Sequence, residues 1–370
     1  MTLFDGITAR IVETSRLGVG ILERAGDDSS TPAERTVVLV HGNVSSSLFW
    51  QELMQDLPSD IRVIAVDLRG FGATEHSPID ATRGLRDFSD DLHATLAELG
   101  LDAVHLVGWS MGGGVIMQYA LDHPVLSLTL QAPVSPYGFG GTRRDGSRLT
   151  DDDAGTGGGG ANPDFVQRLN DHDTTDEAPT SPRSVFRAAY VAAGYTSEHE
   201  DVWVDSMLTT STAEGNYPGD GVPSENWPGF AAGTIGVLNT MAPRYHDVSA
   251  IVELERKPPI LWIHGTDDAI VSDGSFFDLN HLGALGVVPG WPGDEIAPAQ
   301  PMVSQTRDVL GAYTDAGGAV TEITLEGVGH APHLERPAEF RQALLSVIGY
   351  LGTPVDPAPP TEAIILRSAD

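Results

Sequence analysis

The sequence contains no cysteine and a single lysine, Lys257, and it has no long uninterrupted hydrophobic run. The lack of cysteine excludes disulfide bonds and thiolate metal ligands, although it does not identify a cellular compartment. No stretch reaches the roughly 18 consecutive apolar residues that a transmembrane helix needs, so we expect no membrane span. The first residues, MTLFDGITARIVE, also lack the basic segment and the apolar stretch of a secretory signal. A cytoplasmic location is therefore expected.

Positive charge is scarce as well. The chain has 21 basic and 52 acidic residues, which give a formal net charge of −31 at pH 7. Such a surface repels nucleic acid and anionic lipid, so neither a nucleic-acid partner nor a membrane partner is expected. Because the acidic residues are scattered along the chain, they favour solubility over the steering of a cationic substrate. The sequence leaves the oligomeric state open, and a homo-oligomer is among the alternatives.

The apolar residues follow two periods along the chain. Wholly apolar or period-two runs predict strands at 7–13, 17–24, 36–42, 61–70, 103–109, 127–133, 258–266 and 319–330. Longer segments with helical spacing predict helices near 48–57, 87–99, 111–123 and 337–351. Continuously apolar strands that alternate with helices are typical of a parallel sheet with helices on both faces. The predicted fold class is therefore α/β, with a mostly parallel sheet covered on both faces.

The pattern breaks between residues 134 and 255. This stretch has no buried strand run and predicts helices near 184–193, 200–210 and 229–241. It follows the sixth predicted strand, at the end where open α/β sheets bind ligands, so we interpret it as a mainly helical lid. The expected organisation is a core of residues 1–133 and 256–352, a lid of residues 134–255 and an extended tail of residues 353–370. A second irregular stretch, 272–301, is predicted to form a long loop on the same rim.

Residues 104–123 contain the most informative motif. A short apolar strand runs into Gly108-Trp109-Ser110-Met111-Gly112, and a helix with apolar periodicity follows at once. The glycines leave room for the neighbouring backbone, so the serine can be held in a strained conformation with its hydroxyl exposed. The amide of Met111 then lies in the first turn of a helix, where N–H groups have no internal partner and negative charge is favoured. This strand–turn–helix context, rather than the five letters alone, favours a nucleophile.

A serine nucleophile needs a base, and the base needs an acid that orients it. The predicted strand at 258–266 runs into Asp267 and Asp268, and the predicted strand at 319–330 ends at His330. The chain order serine, aspartate, histidine is that of the α/β-hydrolases and differs from the orders of chymotrypsin and subtilisin. On this reasoning either of the two adjacent carboxylates is able to serve as the acid.

A resemblance to a known superfamily is carried by VLVHGNVSSSLFW, VDLRGFGAT, GWSMGGG, HGTDDAIVSD and GVGHAPHLERP. The chain resembles the α/β-hydrolase superfamily over nearly its whole length, with the exception of the lid and the tail. The resemblance implies that Ser110 is the nucleophile, His330 the base and Asp268 the acid, because the family pattern G-x-x-D falls on Asp268. It also implies an oxyanion hole made by the backbone N–H groups of Asn43 and Met111.

The identity of the nucleophile restricts the chemistry. Relatives that attack sp³ carbon use aspartate, because a serine would form an ether that cannot turn over, so Ser110 indicates acyl chemistry. The expected function is a serine hydrolase that cleaves a carboxylic ester or lactone through an acyl-enzyme intermediate. A C–C bond hydrolase or a cofactor-free perhydrolase is the alternative within this chemistry. A slow-turnover ligand receptor is the alternative from another class.

The lid sequence is rich in large apolar side chains, which predicts an apolar substrate of medium size. Most of these residues are expected to form the lid's own core: Tyr137, Phe139, Phe186, Tyr190, Trp203, Met207, Trp227, Phe230, Met241 and Tyr245. His330 and His333 have the spacing H-x-x-H, but no carboxylate context for zinc accompanies them, so no metal is expected. No cofactor is expected either.

Overall fold

The computed structural model describes residues 2–24 and 35–350. Within these residues, eight strands form one sheet with the order β1-β2-β4-β3-β5-β6-β9-β10, and β7 and β8 form a separate hairpin. The strands are β1 (Ile7–Glu13), β2 (Gly18–Arg24), β3 (Thr36–Val40), β4 (Arg62–Val66), β5 (His105–Trp109), β6 (Ser127–Gln131), β7 (Gly221–Pro223), β8 (Phe230–Ala232), β9 (Ile260–Gly265) and β10 (Val320–Leu325).

The large sheet is mostly parallel. β1 pairs with β2, and β2 with β4, in antiparallel fashion, while the pairs from β4 to β10 are all parallel. Every residue of β3, β4, β5, β6 and β9 is buried. Burial on both faces explains why β3, β4 and β9 are apolar over most of their length rather than alternating. The predicted fold class is confirmed.

Helices fill the connections between the parallel strands. They are α1 (Gln51–Asp56), α2 (Arg86–Glu98), α3 (Met111–Asp122), α4 (Pro163–Asn170), α5 (Pro182–Val185), α6 (Glu200–Leu208), α7 (Leu279–Ala284), α8 (Met302–Asp315), α9 (Pro332–Glu335) and α10 (Pro337–Val347). α3 ends before His123-Pro124, since a residue that precedes proline disfavours helical geometry. None of the helices in the described part of the chain combines the length and apolar character of a bilayer span.

The segment between β6 and β9 differs from its prediction in several elements. The helix predicted at 229–241 is wrong, because β8 and a single 3₁₀ turn (Leu238–Met241) occupy that stretch. Gly229 and Gly236 adopt φ of 101° and 93°, which no right-handed helix accommodates. α4 was not predicted. The helix predicted at 184–193 corresponds to α5 and a following π-helical turn, Phe186–Tyr190.

Two further predictions concern the C-terminal half. The irregular stretch at 272–301 contains α7. The extended tail predicted at 353–370 lies outside the described residues.

The carboxyl ends of four parallel strands meet at one edge of the sheet. The loop after β3 carries Asn43, the turn after β5 carries Ser110, the loop after β9 carries Asp268, and the loop after β10 carries His330. The topology therefore gathers residues that are separated by up to about three hundred positions in the sequence at the edge where open α/β sheets bind ligands.

Candidate active site

Ser110 lies on a sharp turn between β5 and α3. Its φ of 57° and ψ of −121° are strained for a residue with a side chain. The turn is tight because the neighbouring glycines allow close backbone approach: a Cβ on Gly108 would lie 2.3 Å from the carbonyl oxygen of Gly112, and one on Gly112 would lie 2.4 Å from that of His41. The sequence prediction of a strained strand-to-helix turn agrees with this geometry.

Asp268 and His330 are joined by a buried hydrogen bond. Nδ1 of His330 donates to Oδ2 of Asp268 over 2.8 Å, and the two side chains are 2% and 1% exposed, respectively. The other carboxylate oxygen, Oδ1, accepts from the backbone N–H groups of Ile270 (2.8 Å) and Val271 (2.9 Å). With its proton held on Nδ1, the imidazole of His330 presents Nε2 as an acceptor, which is the tautomer that a general base requires.

The neighbouring carboxylate is placed differently. Asp267 is exposed, and its Oδ1 accepts a hydrogen bond of 3.0 Å from the hydroxyl of Thr266. Of the two adjacent acids that the sequence left open, the structure therefore joins Asp268, and not Asp267, to His330.

Ser110 and His330 line the same cavity. No hydrogen bond joins the Ser110 hydroxyl to the imidazole among the described residues. Such contacts are often long in unliganded enzymes and tighten in the substrate complex.

The loop after β3 lies directly against the serine. A Cβ on Gly42 would be 2.8 Å from the Cβ of Ser110, so this position requires glycine. Across the described chain, the backbone N–H groups of Asn43 and Met111 have no hydrogen-bond partner. Two unpaired N–H groups on either side of a nucleophile are suited to stabilise an oxyanion, and Met111 adds the positive end of α3.

His41 braces this loop. Its Nδ1 donates to the carbonyl oxygen of Gly42 (2.7 Å), and its Nε2 accepts from the backbone N–H of Leu68 (2.9 Å). Burial lowers the pKa of His41 to about 4, so the ring is neutral at pH 7 and both nitrogens are used.

His333, the second histidine of the H-x-x-H spacing, is also occupied by protein contacts. Its Nδ1 accepts from Nε2 of Gln131 (2.7 Å), and its Nε2 donates to the carbonyl oxygen of Phe49 (3.1 Å). Burial lowers its pKa to about 3. The ring is therefore a neutral structural group behind the site.

Three side chains whose contacts the sequence analysis missed hold the loops in place. The indole N–H of Trp109 donates to the carbonyl oxygen of His330 (2.7 Å). The Glu335 carboxylate accepts from the backbone N–H of Gly329 (2.9 Å) and from that of Ala192 (2.8 Å).

The hydroxyl of Tyr190 lies 3.1 Å from the carbonyl oxygens of Asn43 and Val44, to which it donates. The only sequence signal for these contacts was the nearness of Trp109 and Glu335 to the motifs.

A cavity of about 400 Å³ opens at this edge of the sheet. Its walls come from the sheet edge, from the 134–255 segment and from residues 270–282. The apolar side chains that line it are Val44, Trp109, Val134, Phe139, Ala161, Phe165, Val185, Leu238, Met241, Ile270, Phe276, Phe277, Leu279 and Leu282. None of the described lining residues is lysine or arginine. Among the aromatic residues predicted for the lid, Phe139 and Tyr190 line the cavity, whereas Phe186 and Trp203 are buried without lining it.

Comparison with known proteins identifies the family. The family model described as the alpha/beta hydrolase fold matches residues 35–276, a stretch that includes Ser110 and Asp268. The chain therefore belongs to the alpha/beta hydrolase fold family.

Individual relatives are similar over shorter stretches. The acetyltransferase component of the acetoin cleaving system of Cupriavidus necator is 39% identical over 107 residues, which are 28% of this chain and 27% of that protein. A putative carbamate hydrolase, RutD, of Yersinia enterocolitica is 37% identical over 95 residues, or 26% of this chain and 34% of the relative. The matched part thus spans about a third or less of each of these relatives.

Solved structures extend the similarity to nearly the whole fold. An esterase from Exiguobacterium antarcticum superimposes with a TM-score of 0.56 at 16% identity, covering 92% of this chain and 100% of the esterase. At this identity the similarity establishes the fold.

Proposed function

We propose that the protein is a serine hydrolase that cleaves a carboxylic ester or lactone of a medium-sized apolar substrate. The observation that carries the proposal is the buried hydrogen bond between His330 and Asp268, because His330 lines the same cavity as Ser110 on its strained turn. A serine becomes a nucleophile when a neighbouring imidazole accepts its proton and a buried carboxylate orients that imidazole.

Each residue then has one role. Ser110 attacks the acyl carbon while Nε2 of His330 accepts its proton, and Asp268 stabilises the imidazolium that forms. The N–H groups of Asn43 and Met111 bind the oxyanion, a contribution of about 3 kcal/mol to the barrier for each donor. His330 returns the proton to the leaving alcohol, and water then hydrolyses the acyl-enzyme through the same base.

The lining of the cavity supports an uncharged substrate. Its side chains are mainly apolar, and the acidic or basic residues among the described lining are Asp278 and His330. Asp278 is 2% exposed and accepts backbone N–H bonds from Asn280 (3.0 Å) and Gln300 (2.7 Å), which gives it a structural role. Without a cationic partner in the lining, a carboxylate or phosphate on the substrate would be desolvated at a high cost.

Replacement of the serine tests the proposal. Ser110→Ala is expected to lower kcat/KM for p-nitrophenyl butanoate and octanoate by about 10⁴-fold or more, because the nucleophile is lost. The far-UV circular dichroism should not change, and a fluorophosphonate should label the wild-type protein at Ser110 only. Ser346→Ala, in an exposed position of α10, is the matched control and should keep full activity. Turnover by Ser110→Ala at the wild-type rate would refute the assignment.

A further inference from the structure

The polar groups that line the cavity are almost all engaged by the protein itself. Tyr190 donates to the loop after β3, His330 donates to Asp268, and the hydroxyl of Thr156 donates to the carbonyl oxygen of Asp153 (2.8 Å). Thr180, Asn162 and Asp278 likewise have hydrogen-bond partners within the chain.

Three side chains of the cavity lining have no hydrogen-bond partner among the described residues. They are Ser110, Asn43 and Tyr217.

Two of these three belong to the chemistry already described. Ser110 is the proposed nucleophile, and Asn43 belongs to the oxyanion loop next to it. Tyr217 has neither explanation. It lies in the 134–255 segment, far from the catalytic motifs in the sequence.

Tyr217 is deeply placed in the cavity wall. Only 6% of the residue is exposed, and its ring packs edge-on against the ring of Phe165, which lines the same cavity, at a centroid distance of 6.5 Å. The hydroxyl has no hydrogen-bond partner among the described residues and is not one of their fully enclosed unpaired polar atoms, so it is accessible from the cavity that Tyr217 lines. A donor placed there is free to bind an acceptor that enters the cavity.

A second tyrosine, Tyr190, lies near Tyr217 in the cavity wall. Burial raises the pKa of Tyr190, and electrostatic interaction with Tyr217 raises it further, so the two phenols are neighbours. Tyr190 is itself bound to the carbonyl oxygen of Asn43. Tyr217 and Tyr190 therefore line the same cavity as Ser110 and His330.

The hydroxyl of Tyr217 keeps its proton at neutral pH and is therefore a donor. Burial raises its pKa well above the ordinary value of 10, so the proton stays on the oxygen. A protonated phenol inside an apolar wall pairs well with a keto, ether or hydroxyl oxygen.

We propose that Tyr217 forms a polar subsite that binds an oxygen acceptor on the substrate, at a distance from the carbonyl group that is cleaved. The preferred substrates are then oxygenated esters or lactones, such as keto esters, rather than plain hydrocarbon esters. This inference rests on the proposed function for its substrate class. A site built to pair with an oxygen discriminates against the analogue that lacks it, because the phenol is then left unpaired.

The test compares matched substrates in matched variants. The probes are p-nitrophenyl octanoate and a series of p-nitrophenyl octanoates that carry one keto group at successive carbons. We expect the wild type to prefer at least one keto ester. The measure is the kcat/KM for that keto ester divided by the kcat/KM for p-nitrophenyl octanoate. In Tyr217→Phe this ratio should fall by about 3- to 10-fold, the loss of one neutral hydrogen bond.

Tyr195→Phe is the control for the loss of a phenolic oxygen. Tyr195 lies in the same segment but outside the cavity lining, and its hydroxyl donates only weakly to the carbonyl oxygen of Leu334 (3.4 Å). This variant should keep the wild-type ratio for every ester. A ratio that Tyr217→Phe leaves unchanged across the series, or equal losses for all esters, would overturn the proposal.

Equilibrium binding separates the subsite from the catalytic proposal. Methyl octanoate and its keto derivatives are titrated calorimetrically into Ser110→Ala and into Ser110→Ala/Tyr217→Phe. Tighter binding of a keto ester to Ser110→Ala, lost in the double variant, would support the subsite. This holds even if the wild type hydrolyses no ester, because the lack of turnover would refute only the proposed function. Equal binding of all the esters to Ser110→Ala would refute the subsite.

Discussion

Two adjacent carboxylates differ completely in their surroundings. Asp268 is buried and accepts the hydrogen bond from His330, while Asp267 is exposed to solvent. Asp268→Asn is expected to lower kcat by about 10⁴-fold, because an amide no longer fixes the imidazole tautomer and no longer stabilises the imidazolium. Steady-state kinetics with p-nitrophenyl octanoate measures this loss.

Asp267→Asn provides the matched control one residue away. It should change kcat by less than about two-fold, since its charge is exposed and screened by solvent. If the two variants lost activity equally, the acid would not be Asp268 alone.

Individual site residues can be predicted from the sequence where a local motif is present and the order of the motifs along the chain matches a known pattern. Ser110, Asp268 and His330 could be named because each follows a recognisable strand. Tyr217 could not, because it follows no motif, and its position on the cavity wall results from the path of an irregular segment. The contact between Trp109 and His330, 221 residues apart, likewise depends on tertiary structure.

Short segments connect the loops of the site. The Glu335 carboxylate joins Gly329, next to His330, to Ala192, and a Cβ on Gly329 would lie 2.6 Å from the Ala192 nitrogen. Two residues before Ala192, Tyr190 donates to the loop after β3. The 186–192 stretch therefore links the histidine loop to the loop beside Ser110.

Glu335→Gln tests this link. An amide has one acceptor oxygen, so one of the two backbone N–H groups would lose its partner and the histidine loop would shift. We expect kcat to fall by about 10-fold with KM nearly unchanged, because small displacements of catalytic groups reduce turnover more than binding. Rates are normalised to the fluorophosphonate-titrated protein.

Glu326, on the loop that carries His330, offers a control. It is exposed and forms no hydrogen bond among the described residues, so Glu326→Gln should have wild-type kinetics. A Glu335→Gln variant with wild-type kcat and lowered stability alone would show that the carboxylate has only a structural role.

The core elements could be predicted because their apolar periods and capping signals agree with the final fold. Strand positions agree within a few residues, and α3 ends at the predicted proline. In the 134–255 segment, local signals conflict: the apolar residues near 229–241 suggest a helix, but three glycines at 229, 233 and 236 allow a hairpin and a turn. There the tertiary contacts decide the structure.

Buried neutral histidines make the whole molecule sensitive to acid. His246 is 2% exposed, neither ring nitrogen has a partner among the described residues, and burial lowers its pKa to about 4, against a smaller opposing effect of Asp247. The unfolded chain binds a proton at a pKa near 6.5, so between pH 6.5 and 4 the unfolded state holds more protons than the folded state. The free energy of unfolding must therefore fall as the pH is lowered through this range.

His246→Leu should remove this component. Keeping the His246 imidazole neutral lowers the free energy of unfolding of the wild type by about 3 kcal/mol between pH 7 and pH 4. The free energy of unfolding of the variant should therefore fall by about 3 kcal/mol less than that of the wild type over this range. Urea denaturation at pH 7, 5.5 and 4 measures the difference between the variant and the wild type. Parallel pH profiles for the two proteins would exclude this origin of the acid sensitivity.

The walls of the cavity have a consequence for how this protein can diversify. The proposed catalytic groups lie on turns and loops that directly follow strands of the sheet, whereas most of the cavity lining belongs to the 134–255 segment and to residues 270–282. If the proposed function is correct, selectivity and reactivity are encoded in separate stretches of the polypeptide. Exchanges along the Gly155–Phe165 wall, where Gly160 has no atom within 3.5 Å of an added Cβ, should retune which molecules enter while leaving the reaction itself intact.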